Sequence, residues 1–334
     1  MKTKIALITG GYTGEAEVSF KSSAFVYSQL DHNKYDIYQI TITKDAWFYV
    51  SDSGIKHAIN KEDFTLVLDD SIVQFELAFI MVHGSPGEDG RLQSYFDLVG
   101  IPYTSCDALT SALTMNKGYT KAILADLNDL FLAKSVLLFE NQRAQAVELV
   151  EDKLSLPYFV KPNAGGSSIG MTKVKVADEL KVAIDKAFDA ENTGSQVIVE
   201  EFVNGREFSE GIYRNVDGEL VVLPATEVKT TREFFDFEAK YIPGLTEEIT
   251  PTDLDVNQQL RIGKILKDIY VRLNCKGMVR IDFFLENDTD KFYFIEINTI
   301  PGQTPQSFIP QQVRAAGLTE QEFYGNLIEV ALKK

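Results

Sequence analysis

The stretch from Met278 to Asn298, MVRIDFFLENDTDKFYFIEIN, consists of two largely apolar runs on either side of a short polar segment. Both runs have the composition of β-strands, and ENDTDK between them is typical of a turn. Antiparallel pairing about the middle of that turn places Asp282 opposite Glu296 and Arg280 opposite Asn298. These four polar side chains would then lie on one face of a strand pair.

Two carboxylates that face each other across a strand pair destabilise it unless a cation neutralises them or one takes up a proton. The side chains of Asp282, Glu296 and Asn298 offer the hard oxygen ligands that Mg²⁺ prefers. A solvated polar strand face is the alternative, and a one-residue slip in register would scatter the group. These residues are therefore candidate metal ligands, and the pattern alone leaves both interpretations open.

The chain as a whole has the composition of a globular protein with more than one domain. It has 334 residues, 45% of them hydrophobic, and a net charge of -16. This charge disfavours nucleic acid and anionic membranes as partners, so an anionic ligand needs a local group of lysines. Cys106 and Cys275 lack the spacing of a metal site or disulfide framework, and the first residues do not resemble a secretion signal. We expect a cytoplasmic protein.

Strands and helices alternate along the chain, which predicts an α/β fold with a parallel first sheet. KIALITGG begins the pattern, a helical stretch follows, and YDIYQITIT and FELAFIMVHG continue it. We predict an α/β domain over residues 1–105, a central domain over 106–203 and a last domain over 204–334. Residues 225–253 contain few apolar runs, and an irregular segment of this length is commonly a functional lid or a linker.

A glycine-rich loop follows a strand within residues 159–174, FVKPNAGGSSIGMTKV. Lys161 ends the strand, and Ser167 and Ser168 lie among the glycines. Glycines allow backbone amides to approach phosphate oxygens, while the lysine supplies charge. The order differs from a Walker A loop, and a flexible turn is the alternative.

Acidic residues follow the next strand in IVEEFVNGREF, residues 198–208. Glu200, Glu201 and Glu207 are readily explained as surface charge. If a nucleotide binds nearby, Glu200 or Glu207 would accept hydrogen bonds from its ribose.

Two further loops carry candidate residues near the start of the chain. In ITGGYTGEAEVS the glycines depart from a dinucleotide-binding fingerprint, so an oxidoreductase has little support. Glu15 in this loop would bind a substrate ammonium or favour a helix N-terminus through its charge. His83 ends a strand in MVHGSPGEDGRLQ, where such folds place their sites, although a lone histidine is more often structural.

Seven motifs together resemble the D-alanine-D-alanine ligases of the ATP-grasp superfamily, from about residue 4 to 320. They are GGYTGEAEVS, HGSPGEDGRLQ, MNKGYTK, KPNAGGSSIGM, FFDFEAKY, RIDFF and EINTIPGQTPQSF. The resemblance implies an N-terminal parallel α/β domain and two α+β subdomains that sandwich ATP. It also implies a cytoplasmic homodimeric enzyme that joins two D-alanines for peptidoglycan through an acyl phosphate. ATP and Mg²⁺, or Mn²⁺ in its place, would be required.

The resemblance also implies where the nucleotide binds. Lys117, Lys161 and Lys240 match lysines on the ATP phosphates, with Ser167 and Ser168 in the phosphate loop. The adenine contacts would be Glu200, Glu201 and Val203, and the ribose contact Glu207. The matched metal ligands are again Asp282, Glu296 and Asn298.

The substrate contacts follow from the same resemblance. Glu15 would hold the ammonium of the first D-alanine, tied to Ser167 and Tyr241, with His83 nearby. Arg280 and the backbone of Gly302 would stabilise the tetrahedral oxyanion. Ser307 with Phe308 would bind the carboxylate of the second D-alanine. A lid over about residues 229–245, helped by 163–170, would exclude water.

The resemblance leaves two alternatives for the second substrate. Tyr241 matches the dipeptide-forming type, while D-lactate or D-serine as second substrate is the alternative within the same fold. A nucleotide-binding regulator without catalysis would instead show gaps among the lysines and metal ligands, and the sequence shows none.

Overall fold

The computed structural model describes residues 2–166, 169–190, 195–230 and 246–333, which form three β-sheets with helices packed against them. The first sheet comprises β1 Thr3–Gly10, β2 Tyr35–Ile42, β3 Trp47–Val50, β4 Lys56–Asn60, β5 Thr65–Leu68, β6 Ser71–Val73 and β7 Leu77–Ile80, in the order β6-β5-β4-β3-β2-β1-β7. Helices α1 Ala16–Gln29 and α2 Arg91–Val99 accompany it.

The parallel pairing predicted for this sheet is confirmed for β2, β1 and β7. The four strands β3 to β6, which were not predicted, extend the sheet as antiparallel hairpins. Only a few residues connect these strands, whereas a parallel connection needs a crossover of a dozen residues or more. Helix α1 packs on β1 through the small buried residues Ser19, Ser22 and Ser23, which allow a close approach.

The second sheet is antiparallel and lies in the middle of the chain. Its strands are β9 Ser135–Phe139, β10 Tyr158–Pro162, β11 Thr172–Val174 and β12 Gln196–Glu201, in the order β11-β10-β12-β9. Helices α5 Ala146–Glu151 and α6 Leu180–Phe188 pack against it and complete a separate hydrophobic core. Before it come α3 Ala108–Met115, α4 Lys117–Leu124 and the short strand β8 Leu130–Leu132.

The third sheet contains the strand pair described first. Its strands are β13 Gly205–Arg214, β14 Leu220–Val222, β15 Thr226–Thr230, β16 Thr246–Ile249, β17 Met278–Glu286 and β18 Phe292–Asn298. The order is β16-β15-β13-β17-β18-β8, with β14 on β13, so β8 joins this sheet rather than the second. Helix α7 Val256–Arg272 covers it, while α8 Phe308–Ala315 and α9 Glu320–Leu332 return the chain to the first core.

The register predicted for β17 and β18 is confirmed. Asp282 pairs with Glu296 and Arg280 with Asn298, and a β-bulge follows between Asp282 and Phe283. The bulge shifts the register only toward the turn, so the polar positions keep their alignment. The predicted domain boundaries at residues 105 and 203 stay a prediction.

The irregular segment predicted over residues 225–253 is corrected at both ends. Strands β15 and β16 pair antiparallel, with Thr230 opposite Thr246, and Lys229 belongs to β15. The rest of the predicted lid, residues 231–245, lies outside the described residues. Among the helices of the described ranges, none has both the length and the apolar character needed to cross a membrane.

One carboxylate is buried in the third core without a complete set of partners. Glu210 lies on β13 between Phe208 and Ile212, two residues of the hydrophobic core, and is 7% exposed. Within the described ranges, its Oε2 atom has no hydrogen-bond partner. Burial disfavours the charged form and raises the pKa of Glu210 to about 8.

We therefore expect Glu210→Gln to make the protein less sensitive to alkaline pH. The folded pKa lies above the unfolded value, so the wild type loses stability as pH rises toward 8. The free energy of unfolding of Glu210→Gln relative to wild type should increase over this range, by at most about 1.4 kcal/mol per pH unit. Denaturant melts from pH 5 to 9 measure it, with the exposed Glu62→Gln as control. A difference independent of pH would contradict the assignment.

Candidate active site

A single cavity of about 540 Å³ collects the predicted site residues. Strands of the second and third sheets line it, together with the start of α1 and the loop after β7. Those of the predicted set that the structure describes are Glu15, His83, Lys117, Lys161, Glu200, Glu201, Val203, Glu207, Arg280, Asp282, Glu296, Asn298, Gly302, Ser307 and Phe308. The remaining predictions, Ser167, Ser168, Lys240 and Tyr241, lie outside the described residues. Proximity in one cavity leaves the individual roles as predictions.

Asp282 lies at the centre of a hydrogen-bonded cluster. Arg280 donates to both of its oxygens at 2.9 and 2.8 Å, and Ser209 Oγ donates to Oδ1 at 2.5 Å. Asn298 Nδ2 donates to Oδ2 at 3.1 Å. Burial disfavours the charge on Arg280, but the attraction of Asp282 and Glu296 raises its pKa above the usual value. Arg280 and Asp282 therefore form a charged pair in the cavity wall.

Glu296 finds its own counter-charge on a neighbouring helix. Lys117, the first residue of α4, places Nζ 3.3 Å from Glu296 Oε2 and donates to the carbonyl of Gly165 at 2.8 Å. Lys117 is only 9% exposed. The opposed carboxylates are thus neutralised by Arg280 and Lys117 side chains. Across the described ranges, no cluster of three or more His, Cys, Asp and Glu residues suits a metal, so a metal here also needs Asn298.

Glu200 is held between two lysines. Lys161 Nζ lies 2.5 Å from Glu200 Oε2, and Lys121 contacts Oε1. Strand pairing explains the first contact, because Lys161 on β10 lies beside β12, which carries Glu200. This carboxylate is 7% exposed, so its surface-charge interpretation is wrong.

His83 connects three segments around the cavity. Its Nδ1 lies 2.8 Å from the carbonyl of Ile300, and its Nε2 lies 3.0 Å from Ser22 Oγ. A carbonyl only accepts, so Nδ1 carries the proton and Ser22 donates to Nε2. Burial lowers the pKa of His83 to about 4, which keeps the ring neutral. His83 therefore joins α1 to the loop after β18.

Glu15 occupies the N-cap position of α1 but makes no capping hydrogen bond with its side chain. Its carboxylate lies beside two glycines. A Cβ on Gly84 would come within 2.5 Å of Oε2, and one on Gly166 within 2.9 Å of Oε1. The glycines leave room for the carboxylate at the cavity wall.

Glu88 is a second carboxylate near Glu15 that sequence reasoning missed. It accepts hydrogen bonds from the backbone of Gly84 at 2.8 Å and of Ile300 at 3.3 Å. Burial, followed by the charge of Glu15, raises the pKa of Glu88 to about 8. Glu88 lies in the same glycine-rich loop as His83, and this position could have indicated it as a site residue.

The far end of the cavity is built from the start of α8. Ser307 is the N-cap residue, and the Phe308 ring centroid lies 5.4 Å from the Arg280 guanidinium. A Cβ on Gly302 would lie 3.0 Å from Ser307 Oγ, so this loop folds closely onto the helix start. The exposed backbone amides of a helix N-terminus suit a carboxylate.

Two other contacts were missed for different reasons. Lys121 lies four residues after Lys117 on one helix, so the helical period could have indicated a shared face. Ser209 meets Asp282 because β13 pairs with β17, a contact between residues distant in sequence.

The comparisons with known proteins match this architecture. Sequence models described as "D-ala D-ala ligase N-terminus" and "D-ala D-ala ligase C-terminus" match residues 4–106 and 131–329. The chain belongs to the D-alanine-D-alanine ligase family. It is a ligase that forms a peptide bond, and its fold is ATP-grasp.

Individual members of the ligase family match this chain over nearly their full length. A D-alanine--D-alanine ligase from Parabacteroides distasonis is 44% identical, covering 100% of this chain and 98% of the relative. The VanG D-Ala:D-Ser ligase from Enterococcus faecalis is 33% identical with a TM-score of 0.88, covering 99% and 100% of the two chains. A D-alanine--D-alanine ligase from Bacillus anthracis complexed with ATP is 28% identical with a TM-score of 0.77, covering 100% and 98%.

We expect Gly84→Ala to reduce ligation more than Gly100→Ala does. Both glycines have positive φ, +66° and +75°, so both substitutions strain the backbone. Only at Gly84 would the new methyl group displace Glu15, since nothing lies within 4 Å of a Cβ on Gly100. Steady-state kinetics should show a loss of kcat/KM for D-alanine on the order of 100-fold for Gly84→Ala. Equal losses in the two variants would contradict this role of the loop.

Proposed function

We propose that the chain joins two D-alanines through an acyl phosphate, with ATP as the phosphoryl donor. The observation that carries the proposal is the cavity in which Glu15, Lys117, Lys161 and Arg280 lie together with the opposed pair Asp282–Glu296. Such a set can neutralise phosphates at one end and hold an amino acid at the other.

The reaction follows from the chemistry of the substrates. A carboxylate is a poor electrophile, so the first D-alanine takes the γ-phosphoryl group of ATP, and ADP leaves. The amine of the second D-alanine attacks the carbonyl carbon of the acyl phosphate, loses a proton, and inorganic phosphate departs. Phosphoryl transfer mainly needs positioning and neutralisation of charge. The product is a D-alanyl-D-alanine precursor of peptidoglycan.

The nucleotide would bind along the second and third sheets. Lys117 and Lys161 bind its phosphates, helped by Ser167, Ser168 and Lys240. The other contacts we propose are Glu200, Glu201 and Val203 with adenine and Glu207 with ribose. All the described members of this set line the cavity, which supports the assignment.

The donor set of β17 and β18 fits a hard divalent cation. Asp282, Glu296 and Asn298 supply carboxylate and amide oxygens and no sulfur or imidazole, which suits Mg²⁺ or Mn²⁺. Such an ion, when bound, neutralises charge on the phosphates. Arg280 and Lys117 already pair with these carboxylates and orient them.

The two amino acid subsites would lie at the opposite end of the cavity. Glu15, with Ser167 and Tyr241, holds the ammonium of the first D-alanine, and neutral His83 fixes the neighbouring loop. Arg280 and the Gly302 backbone stabilise the oxyanion. Ser307 with Phe308, at the N-terminus of α8, binds the carboxylate of the second D-alanine.

Three further parts of the proposal concern the surroundings of the site. A lid over residues 231–245, which β15 and β16 bracket, excludes water from the acyl phosphate. We also propose a cytoplasmic location and a homodimer. Domain boundaries near residues 105 and 203 complete the proposal.

D-alanine should be the preferred second substrate. We expect phosphate release with D-alanine as acceptor to exceed that with D-serine or D-lactate by at least about 10-fold. D-serine carries an additional hydroxyl group and D-lactate lacks the amine, and single-group differences of this kind commonly give such discrimination. The assay reads phosphate together with the ligated product for each acceptor. Equal or faster ligation of D-serine, the substrate in the name of the VanG neighbour, would overturn this choice.

Glu296→Ala should abolish metal-dependent turnover while the fold stays intact. Loss of one carboxylate removes an oxygen ligand and leaves Lys117 without its partner in β18. We expect turnover to fall by at least about 100-fold, the scale of losing a main electrostatic contact in an active site. Glu286→Ala, at the distant end of the same strand pair, is the control. Wild-type turnover across a Mg²⁺ titration would exclude Glu296 as a ligand.

A further inference from the structure

Lys121 and Lys161 both contact the carboxylate of Glu200. Lys161 approaches one oxygen of Glu200 at 2.5 Å, and Lys121 contacts the other. Lys121 is 5% exposed and Glu200 is 7% exposed. A buried lysine, Lys121, and a partly buried lysine, Lys161, thus share one carboxylate.

The two lysines differ in their access to the cavity. Lys161 and Glu200 line the cavity, whereas Lys121 lies behind them on α4 and also reaches the carbonyl of Ala133 at 3.4 Å. An incoming nucleotide can therefore meet Lys161 but not Lys121. Of the two, Lys161 is the lysine that can exchange partners.

Exchange of Lys161 would be costly if it were the sole counter-ion of Glu200. Removing one partner of a buried ion pair leaves an uncompensated charge, which is strongly unfavourable. With Lys121 in place, Glu200 keeps a cation when Lys161 moves to a phosphate. Burial and the nearby charge of Lys161 both lower the pKa of Lys121, so departure of Lys161 toward a phosphate would strengthen the positive charge that Lys121 offers to Glu200.

We propose that Lys121 is a positioning residue for phosphate binding, which balances Glu200 so that Lys161 can leave it for the nucleotide. This role rests on the proposed function, since it assumes phosphates near Lys161. Lys121 itself touches no substrate. The nucleotide-free protein would hold Lys161 on Glu200, and phosphate would draw it away.

The test is binding of inorganic tripolyphosphate, ADP and adenosine to wild type and Lys121→Met by calorimetry. We expect Lys121→Met to bind tripolyphosphate and ADP at least 10-fold more weakly, because Lys161 stays on Glu200. Adenosine has no phosphate, so its affinity should stay within about 2-fold of wild type. Lys121→Arg, which keeps the charge, should restore most of the tripolyphosphate affinity.

The matched control replaces a lysine whose side chain is exposed. Lys134 Nζ lies 3.6 Å from Oε1 of Glu201, the neighbour of Glu200, but the side chain of Lys134 is 75% exposed. Lys134→Met should leave tripolyphosphate affinity within about 2-fold of wild type, because an exposed charge is screened. If Lys121→Met does not fold, judged by its thermal melt, Lys121→Gln takes its place.

A double variant separates this role from a general structural one. Glu200→Gln frees Lys161, so in that background Lys121→Met should no longer weaken tripolyphosphate binding. Unchanged tripolyphosphate affinity in Lys121→Met, or an equal loss for adenosine, would overturn the role of Lys121. A wild type that binds neither ADP nor tripolyphosphate would contradict the proposed function itself, and the role of Lys121 with it.

Discussion

The pairing of β17 with β18 is the constraint on which the active site depends. It forces Asp282 and Glu296 to face each other, an arrangement that needs positive charge nearby. Arg280 supplies that charge from the same strand, and Lys117 supplies it from the start of α4. The same electrostatic requirement therefore joins the third sheet to the helix that precedes the second sheet.

The other charged side chains that line the cavity also need partners of opposite charge. Its described lining residues include eight acidic side chains and four lysines and arginines, and His83 is neutral. An anionic nucleotide enters such a site favourably only if cations accompany it or if basic side chains leave their carboxylates. The donor set of Asp282, Glu296 and Asn298 serves the first route, and the exchange proposed for Lys161 serves the second.

Much of this site could be predicted because its contacts are local or periodic. The register of β17 and β18 follows from a short turn and an alternating pattern, and the bulge after Asp282 leaves the polar positions aligned. Lys161 was predicted because it lies near the end of a strand, and His83 and Glu15 because each lies in a loop that follows a strand. The resemblance to ligases added the roles that composition cannot show.

The features that could not be predicted depend on contacts between residues distant in sequence. Nothing near Ser209 in the sequence indicates that β13 pairs with β17 and brings it to Asp282. The hairpins β3 to β6 were missed because the alternation of strands and helices along the chain predicted a parallel sheet. Thr226–Thr230 and Thr246–Ile249 appeared irregular because they are short and polar, and their pairing in a sheet stabilises them.

The most direct test of this account is the position of a divalent ion in the nucleotide complex. Crystals grown with ADP and Mn²⁺, measured at the manganese absorption edge, would locate the metal by its anomalous scattering. We expect a manganese peak in contact with oxygens of Asp282, Glu296 and Asn298. A bound nucleotide whose manganese lies away from all three residues would contradict it.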